Sequence, residues 1–324
     1  MSIISAKHFH DEAAAFTELE AILWPEGPVC PHCGGMDRVY ALKGVRSKPS
    51  KKNPEGVERH GLKKCGHCRK QFTVRVGTIF EDSHAPLHKW LQAIHLMVSS
   101  KKGISSHQLH RILEVQYNTA WFMSHRIREA MRSGALAPMG GGSTHMEVDE
   151  TFVGKKKSAK RFSKPHGMHQ KMAVLTLVER GGNARSFHVG GTYANELMPI
   201  IKANIDRETQ ISTDQAKYYN KLGKHFQKHG SVNHSKDEWK RGDICTNTVE
   251  GYFSIFKRGM KGVYQHCSEK HLHRYLAEFD FRYNNRSALG VEDKERAVNA
   301  VRGAKGKRLT YRQPDFQKDR QLSG

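Results

Sequence analysis

The chain has 324 residues, which is enough for two or three compact units, and its 37% hydrophobic content is compatible with packed cores. Its 54 lysines and arginines outnumber its 32 acidic residues, and the resulting charge of +22 argues against an enzyme that acts only on small molecules. Polyanions are the expected partners, with an affinity that falls steeply as salt is added. Ribosomal and membrane-surface proteins are also basic, so the motifs must decide between these classes.

We expect neither a membrane-spanning helix nor a signal peptide. No apolar run reaches the roughly 18 residues that a membrane span needs. The first residues lack the basic start and the apolar centre of a signal peptide. These features predict a cytoplasmic protein in a reducing compartment, where paired cysteines are more often metal ligands than disulfides.

The sequence predicts a multidomain α/β protein with six segments. They are an N-terminal helix (1–24), a zinc ribbon (25–85), a helical DNA-binding region (86–132), a linker (133–144), a mixed α/β domain (145–290) and a basic C-terminal tail (291–324). Apolar residues at helical spacing from residue 5 predict the first helix, which Trp24-Pro25 ends. The tail is expected to contact DNA or to remain disordered.

Two Cys-x-x-Cys pairs define the ribbon. Cys30 and Cys33 form the first pair, and Cys65 and Cys68 form the second. Each pair places two thiolates at the lip of one tight turn, and two such turns complete the tetrahedral shell of one Zn²⁺ ion. A redox pair usually stands alone near a βαβ unit, so the spacing favours structural zinc. A strand is predicted at 71–76, after the second pair.

Three apolar stripes follow in the helical region. The first contains Trp90, Ile94 and Met97, the second contains Leu109, Ile112 and Leu113, and the third contains Trp121, Ile127 and Met131. Tight turns between them suggest a helix-turn-helix, although any small helical bundle has the same spacing. In the first interpretation, 118–132 is the recognition helix, and Arg126, Arg128 and Arg132 are the candidate DNA-binding residues.

The α/β domain is predicted from alternating strands, followed by helices and strands in turn. The strands are placed at 146–153, 171–179, 185–192 and 210–213, and the helices at 195–206, from about 247, and at 269–284. Gly181-Gly182 predicts a hairpin between the second and third strands.

Three carboxylates in this domain are candidates for a metal site. Asp149 lies in a strand with one apolar and one acidic face, where a solvated side chain is the ordinary alternative. Asp214 ends a strand, as catalytic residues of α/β sheets often do, but it could also cap a following helix. Glu250 has an equivalent alternative, because Asn247 and Glu250 have the spacing of a capping box.

Helical geometry places cations near Glu250. Lys257 lies seven residues further on, roughly 20° short of two full turns, so the two side chains share a face that also includes Lys261. Carboxylate oxygens suit Mg²⁺ or Mn²⁺, and a pair of such ions supports cleavage of phosphodiesters. The pattern predicts a metal site beside a DNA backbone.

From Cys30 to about Arg286, the chain resembles bacterial insertion-sequence transposases with an N-terminal zinc ribbon and an RNase H-like DDE catalytic domain. The likeness rests on four stretches. They are Val148-Asp-Glu-Thr-Phe-Val-Gly, Ser212-Thr-Asp, Asn247-Thr-Val-Glu-Gly-Tyr-Phe-Ser-Ile-Phe-Lys-Arg-Gly and Arg274-Tyr-Leu-Ala-Glu-Phe-Asp-Phe-Arg-Tyr-Asn.

The resemblance implies that Asp149, Asp214 and Glu250 bind two Mg²⁺ or Mn²⁺ ions and that Lys257 touches the DNA end. Glu150 is a rival for the first position of this triad, and Asn247 is a rival for the third. The implied activity is cleavage of a strand at the terminal inverted repeats, followed by transfer of the 3′-OH into target DNA by a homo-oligomer that pairs the ends. Two alternatives remain, a zinc-ribbon DNA-binding regulator without catalysis and an RNase H-like nuclease without strand joining.

Overall fold

The computed structural model describes residues 3–51, 53–134, 136–142, 144–156 and 170–310. The chain folds into two units. The first contains Met1–Ser99, Ser106–Met131 and Asp293–Gly324, and the second contains Ser100–Ser105 and Arg132–Glu292. The chain therefore leaves the first unit, builds the second, and returns to the first.

Eight α-helices and ten strands lie within the described residues. The helices are α1 (Glu12–Leu23), α2 (Leu87–Ser99), α3 (Ser106–Leu113), α4 (Tyr117–Met131), α5 (Ala194–Asn204), α6 (Asn247–Gly259), α7 (Leu272–Asn284) and α8 (Asp293–Arg302). The strands are β1 (Val39–Ala41), β2 (Lys63–Cys65), β3 (Gln71–Phe72), β4 (His145–Val153), β5 (Met172–Glu179), β6 (Ala184–Val189), β7 (Gln210–Asp214), β8 (Lys228–Val232), β9 (Lys240–Arg241) and β10 (Ile244–Cys245). No helix in this part of the chain has the length and apolar content to cross a membrane.

The start of the first unit is a helix followed by a small antiparallel sheet. The Asp11 carboxylate caps α1 by accepting the N–H of Ala14 at 2.8 Å, so the helix begins later than predicted, and Lys7–Phe9 form a separate 3-10 turn. Strands β1, β2 and β3 pair in that order. The strand predicted at 71–76 ends at Phe72, because the chain then turns and the Val76 N–H donates to the Thr73 carbonyl.

Helices α2, α3 and α4 occur where the three apolar stripes predict them. Trp90, Ile94 and Met97 of α2 are all buried. In α3, however, Ile112 is 51% exposed, while Leu109 and Leu113 are buried. The apolar stripe of this short helix is therefore narrower than the sequence suggests.

Two of the three arginines predicted to contact DNA are buried in the first unit. Arg126 is 4% exposed and Arg128 is 1% exposed. Arg126 donates to the carbonyls of Ile79 at 2.7 Å, Glu81 at 2.6 Å and Leu309 at 3.0 Å, and Arg128 donates to the Ser124 hydroxyl at 3.0 Å. A guanidinium has five donors, which suit it to carbonyls that have no other partner. The prediction that Arg126 and Arg128 face DNA is therefore wrong in this structure, whereas Arg132 is exposed.

The predicted basic tail begins with a packed helix. Helix α8 contacts α2, α1 and α4, and buries Ala300 and Val301. Arg296 donates to the Val98 carbonyl at 3.2 Å, and Lys307 donates to the Ala130 carbonyl at 3.1 Å. The first part of segment 291–324 is thus a structural element, and residues 311–324 lie outside the described residues.

The second unit is built on a five-stranded sheet with the order β6-β5-β4-β7-β8. Strands β4, β5 and β6 are antiparallel neighbours, and β7 and β8 run parallel to β4. Residues Met172–Val178 of β5 are all buried, as expected for a strand that is covered on both faces. The hairpin at Gly181-Gly182 is confirmed, with Gly181 in a left-handed conformation at φ +72° that glycine adopts without strain.

Helices cover the two faces of this sheet. Alternate residues of β4 serve different cores, as the two-residue period of a strand requires. Met146 and Val148 pack with α5, through Leu197 and Ile201. Val153 packs on the other face with α6 and α7, whose buried residues include Val249, Phe253, Phe256, Leu276 and Phe279.

Two predicted boundaries of this unit are displaced. The linker predicted at 133–144 is attached to the end of α5 in its second half, where Met139 is buried and exchanges backbone hydrogen bonds of 2.8 Å with Asn204 and Asp206. Helix α6 does not continue regularly to Lys261. It ends at Gly259, and a π-helical turn follows at Met260–Tyr264, which shifts Lys261 away from an ideal helical phase.

Candidate active site and zinc site

The four predicted zinc ligands meet in the first unit. The Sγ atoms of Cys30 and Cys68 are 3.6 Å apart, as are those of Cys33 and Cys65. All four sulfurs lie within 4.8 Å of one another. A tetrahedral ion with Zn–S bonds of about 2.3 Å places its sulfurs about 3.8 Å apart, so the arrangement fits one structural Zn²⁺.

Among these cysteines, the surroundings of Cys65 favour its thiolate form. Backbone N–H groups of Cys68 and His67 point at the Cys65 sulfur and lower the pKa of that thiol to about 6. The apolar core of the ribbon is small and includes the sulfurs themselves, with buried Cys30, Cys65 and Phe72 against Trp24. So small a core suggests that metal binding supplies much of the folding free energy of the ribbon.

Changing Cys65 and Cys68 together to serine is expected to release the zinc and unfold the ribbon. Metal analysis should find about one Zn²⁺ per wild-type chain and close to none in this variant. Cys267→Ser, in the second unit, is the matched control and should retain the metal. Full zinc occupancy in the double variant would contradict the ligand assignment.

Asp149 and Asp214 lie on neighbouring parallel strands. The register pairs His145 of β4 with Gln210 of β7 and Glu147 with Ser212. Asp149 and Asp214 each lie two residues beyond the last of these pairs. The Asp214 carboxylate also accepts the N–H of Ala216 at 2.9 Å, but it does not cap the following 3-10 turn at Lys217–Tyr219, whose N-cap residue is Ala216.

Asp149 and its rival Glu150 lie on opposite faces of β4. Asp149 follows Glu147 on the face that α6 covers, whereas the Glu150 carboxylate accepts hydrogen bonds from the hydroxyls of Tyr218, at 3.0 Å, and Tyr219. Tyr219 belongs to the core on the α5 side. Strand alternation therefore associates Asp149 with the helix that carries Glu250, and engages Glu150 elsewhere.

Glu250 lies in the first turn of α6, and the capping box predicted with Asn247 does not form. Asn247 is the first residue of the helix, and its side chain is exposed. The Thr246 hydroxyl donates to the Glu250 carboxylate at 2.9 Å. The Nε2 atom of His234, on the loop after β8, lies 3.3 Å from the same carboxylate.

The residue that caps α6 is Glu147, which the sequence did not reveal. Its carboxylate is fully buried and accepts the N–H groups of Thr248 at 2.7 Å and Val249 at 3.0 Å, together with the Thr248 hydroxyl at 3.0 Å. Arg180 completes the shell, with its Nε 2.6 Å from the carboxylate. Glu147 thus attaches the start of α6 to β4. Glu147 lies two residues before Asp149 on the strand, and α6 begins three residues before Glu250.

Known protein families match both units of the chain. A transposase zinc-ribbon domain matches residues 10–71, and an ISXO2-like transposase domain matches residues 140–284. The two matches together cover more than half of the chain. The chain belongs to the insertion-sequence transposases. A protein from the archaeon Halobacterium salinarum, named as an uncharacterized protein in transposable element ISH50, is 25% identical over 297 residues, which is 85% of this chain and 92% of that protein.

Every candidate carboxylate of this transposase lies inside the matched transposase domain. Their oxygens do not form a tight cluster, because among the described residues only the four cysteines have ligand atoms all within 4.8 Å of one another. They are nevertheless close enough to interact. The pKa of Asp149 is raised to about 8 by burial and then by the negative charges of Glu150, Asp214 and Glu250.

Burial also raises the pKa of Glu150, to about 7, against hydrogen bonds from Tyr219 and Tyr218 that lower it. A cation among Asp149, Asp214 and Glu250 would relieve the repulsion that raises the pKa of Asp149. The donor set is composed of carboxylate oxygens, which Mg²⁺ and Mn²⁺ prefer. The residues present therefore fit a divalent ion.

Without divalent ions, the transposase is expected to lose stability as the pH rises from about 5 to 8. The folded state holds a proton on Asp149 up to a pKa of about 8, while the unfolded chain releases it near the ordinary value of 3.8. Raising the pH between these two pKa values therefore favours the unfolded state. The contribution of the Asp149 proton to stability is lost once the pH exceeds the folded-state pKa of about 8. Urea unfolding of the wild type and of Asp149→Asn across this pH range should show a smaller decline in the free energy of unfolding for the variant. Equal slopes would contradict the raised pKa.

The remaining predicted residues lie on the surface of the second unit. Lys257 and Lys261 are exposed, and the Lys257 Nζ lies 5.9 Å from the centre of the Phe253 ring. Arg132 is also exposed. These three cations are exposed, whereas Arg126 and Arg128 are buried.

Proposed function

We propose that this transposase binds the terminal inverted repeats of its element, hydrolyses one strand to free a 3′-OH and directs that hydroxyl at target DNA. The observation that carries the proposal is the placement of Asp149 and Asp214, each two residues beyond the last paired residues of neighbouring parallel strands, with Glu250 on the helix that covers the same face as Asp149. The sheet supports an RNase H-like fold. Numbered within the sheet, its strands have the order 3-2-1-4-5, and only the second runs antiparallel to the other four.

Asp149, Asp214 and Glu250 would hold two Mg²⁺ or Mn²⁺ ions. Such ions supply an activated water or hydroxyl and stabilise the charge that develops on the transferring phosphate. Hydrogen bonds from Tyr218 and Tyr219 to Glu150 support Asp149 as the first ligand, and the contact between Thr246 and Glu250 supports Glu250 over the exposed Asn247 as the third.

The other residues of the site orient these ligands and the DNA. Glu147 fixes the start of α6 against β4, so that the Glu250 carboxylate stays on the Asp149 side of the sheet. Lys257 extends from the exposed side of α6, where it would contact a phosphate of the DNA end. Attack of the 3′-OH on a target phosphate exchanges one phosphodiester bond for another, so no nucleoside triphosphate is required.

Binding of two DNA ends would be shared between the zinc ribbon and the exposed cations Arg132, Lys257 and Lys261. Pairing of the ends would require a homo-oligomer, formed on the DNA. Because these contacts neutralise phosphates, the affinity for end DNA should fall steeply between about 50 and 200 mM salt.

A strand-transfer assay tests the proposal against its two alternatives. Purified protein would be incubated with Mg²⁺, DNA that carries the ends of its own element and a labelled target plasmid. The expected product is end DNA covalently joined to the target. Binding without nicking would indicate a regulator, and nicking without joining would indicate a nuclease.

A further inference from the structure

The loop between β8 and α6 carries an exposed tryptophan beside the proposed active site. Trp239 is 55% exposed, whereas Trp90 is buried in the first unit. A single exposed aromatic residue is common on protein surfaces and has no meaning by itself. Three features of its surroundings give this one a function.

The first feature is the order of the loop that carries it. The Asn233 N–H donates to the Glu238 carboxylate at 3.1 Å, and the Glu238 N–H donates to the Asn233 carbonyl at 3.1 Å. Arg241 pairs with the same carboxylate at 3.7 Å. These contacts fix the backbone on both sides of Trp239, so the exposed indole is held at one position on the surface of the loop.

The second feature is that this loop contacts one proposed metal ligand, Glu250, and the residue that follows another, Asp214. Gln215, which follows Asp214, donates to the Ser235 hydroxyl at 3.1 Å. His234 lies 3.3 Å from the Glu250 carboxylate, and its ring contacts the indole of Trp239 with centroids 4.8 Å apart. A single side chain thus separates Trp239 from Glu250.

The third feature is the charge around the indole. Lys236, Lys240 and Arg241 are exposed in the same segment, as are Asp237 and Asp243. The nearby Glu238 carboxylate is occupied by Asn233 and Arg241. Lys236 and Lys240 stand on either side of Trp239 in the sequence, and a nucleic acid strand can bind such cations through its phosphates while its bases stack on the ring.

We propose that Trp239 stacks on an unpaired base of the DNA strand next to the phosphate that is cleaved. The inference rests on the proposed function, because it assumes that this phosphate reaches the carboxylates. Every base has a stacking face, so the contact requires no particular sequence. Stacking compensates for the loss of pairing, and it holds the distorted strand against the site.

The inference is tested by comparing how the wild type and three single-residue variants cleave two DNA ends. One end is fully paired, and the other carries mismatches at the bases that flank the cleaved phosphate. Trp239→Leu should cleave the paired end about tenfold or more slowly than wild type, within the range of stacking contributions, and the mismatched end should restore most of the rate. Trp239→Phe retains a stacking face and should remain close to wild type. Tyr193→Leu is the matched control, since Tyr193 is also exposed but lies at the start of α5 on the other face of the sheet.

Two outcomes would overturn the inference. Trp239→Leu could cleave the paired end at the wild-type rate, or it could be equally slow on both ends, which would make Trp239 a support for the contact between His234 and Glu250. If wild-type protein cleaves neither end, the proposed function itself fails. The wild-type reaction therefore separates the two kinds of failure.

Discussion

Asp149→Asn is expected to abolish strand cleavage and transfer while the protein still binds end DNA. Asn keeps the size of the side chain but removes the charge that would hold a divalent ion. Such an ion stabilises the transition state by several kcal/mol, and each 1.36 kcal/mol is about tenfold in rate, so a loss of roughly a thousandfold is expected. Cleavage rates in Mg²⁺ and a binding titration with the same DNA would measure the two properties separately.

Glu150→Gln is the matched control for this change. The two carboxylates are adjacent in the sequence, and the pKa of each is raised by burial, but they lie on opposite faces of β4. Glutamine can still accept a hydrogen bond from Tyr218 or Tyr219, so cleavage should persist within about tenfold of wild type. The reverse result, an active Asp149→Asn and an inactive Glu150→Gln, would transfer the first ligand position to Glu150.

Removal of the Glu147 carboxylate is expected to destabilise the second unit strongly. Glu147→Ala leaves the Arg180 guanidinium without its buried partner and leaves the N–H groups of Thr248 and Val249 unsatisfied. Breaking a buried ion pair costs about 3 to 5 kcal/mol, and a lost helix cap adds to this. Urea unfolding of the full chain would measure the loss, and faster hydrogen exchange at Thr248 and Val249 would locate it.

A double-mutant cycle with Arg180→Met tests the physical reason. If Glu147 acts through this pair, the double variant Glu147→Gln with Arg180→Met should lose less stability than the sum of the two single changes. The loss of stability that comes from weaker capping of α6 should be present in both variants that carry Glu147→Gln, with or without Arg180→Met. Additive losses would show that Glu147 and Arg180 act independently.

The sequence predicted those parts of the molecule that depend on local pattern. Two Cys-x-x-Cys pairs were sufficient for the zinc site, because the spacing within each pair already determines the turn that holds two sulfurs. Alternation of apolar residues gave the strands around Asp149 and Asp214, and helical spacing gave α6 with its buried Val249 and Phe253. These signals extend over a few residues and need no knowledge of distant contacts.

The parts that the sequence did not predict depend on contacts between distant segments. Arg126 and Arg128 lie in the predicted recognition helix, yet Arg126 binds carbonyls at residues 79, 81 and 309. Glu147 has the same periodicity as Asp149, and only the position of α6 makes it a helix cap. Strand β8 was missed as well, because Lys228–Val232 contains lysine, histidine and glycine, and parallel pairing with β7 stabilises it.

The return of α8 to the first unit determines the order in which the protein can fold during synthesis. The ribosome makes Asp293–Arg302 only after the whole second unit. Ala300 and Val301, which are buried within the first unit, are therefore absent while β4 to α7 emerge and fold. The unit that contains the candidate carboxylates can therefore reach its native state on the ribosome before the unit that contains the zinc ribbon is complete.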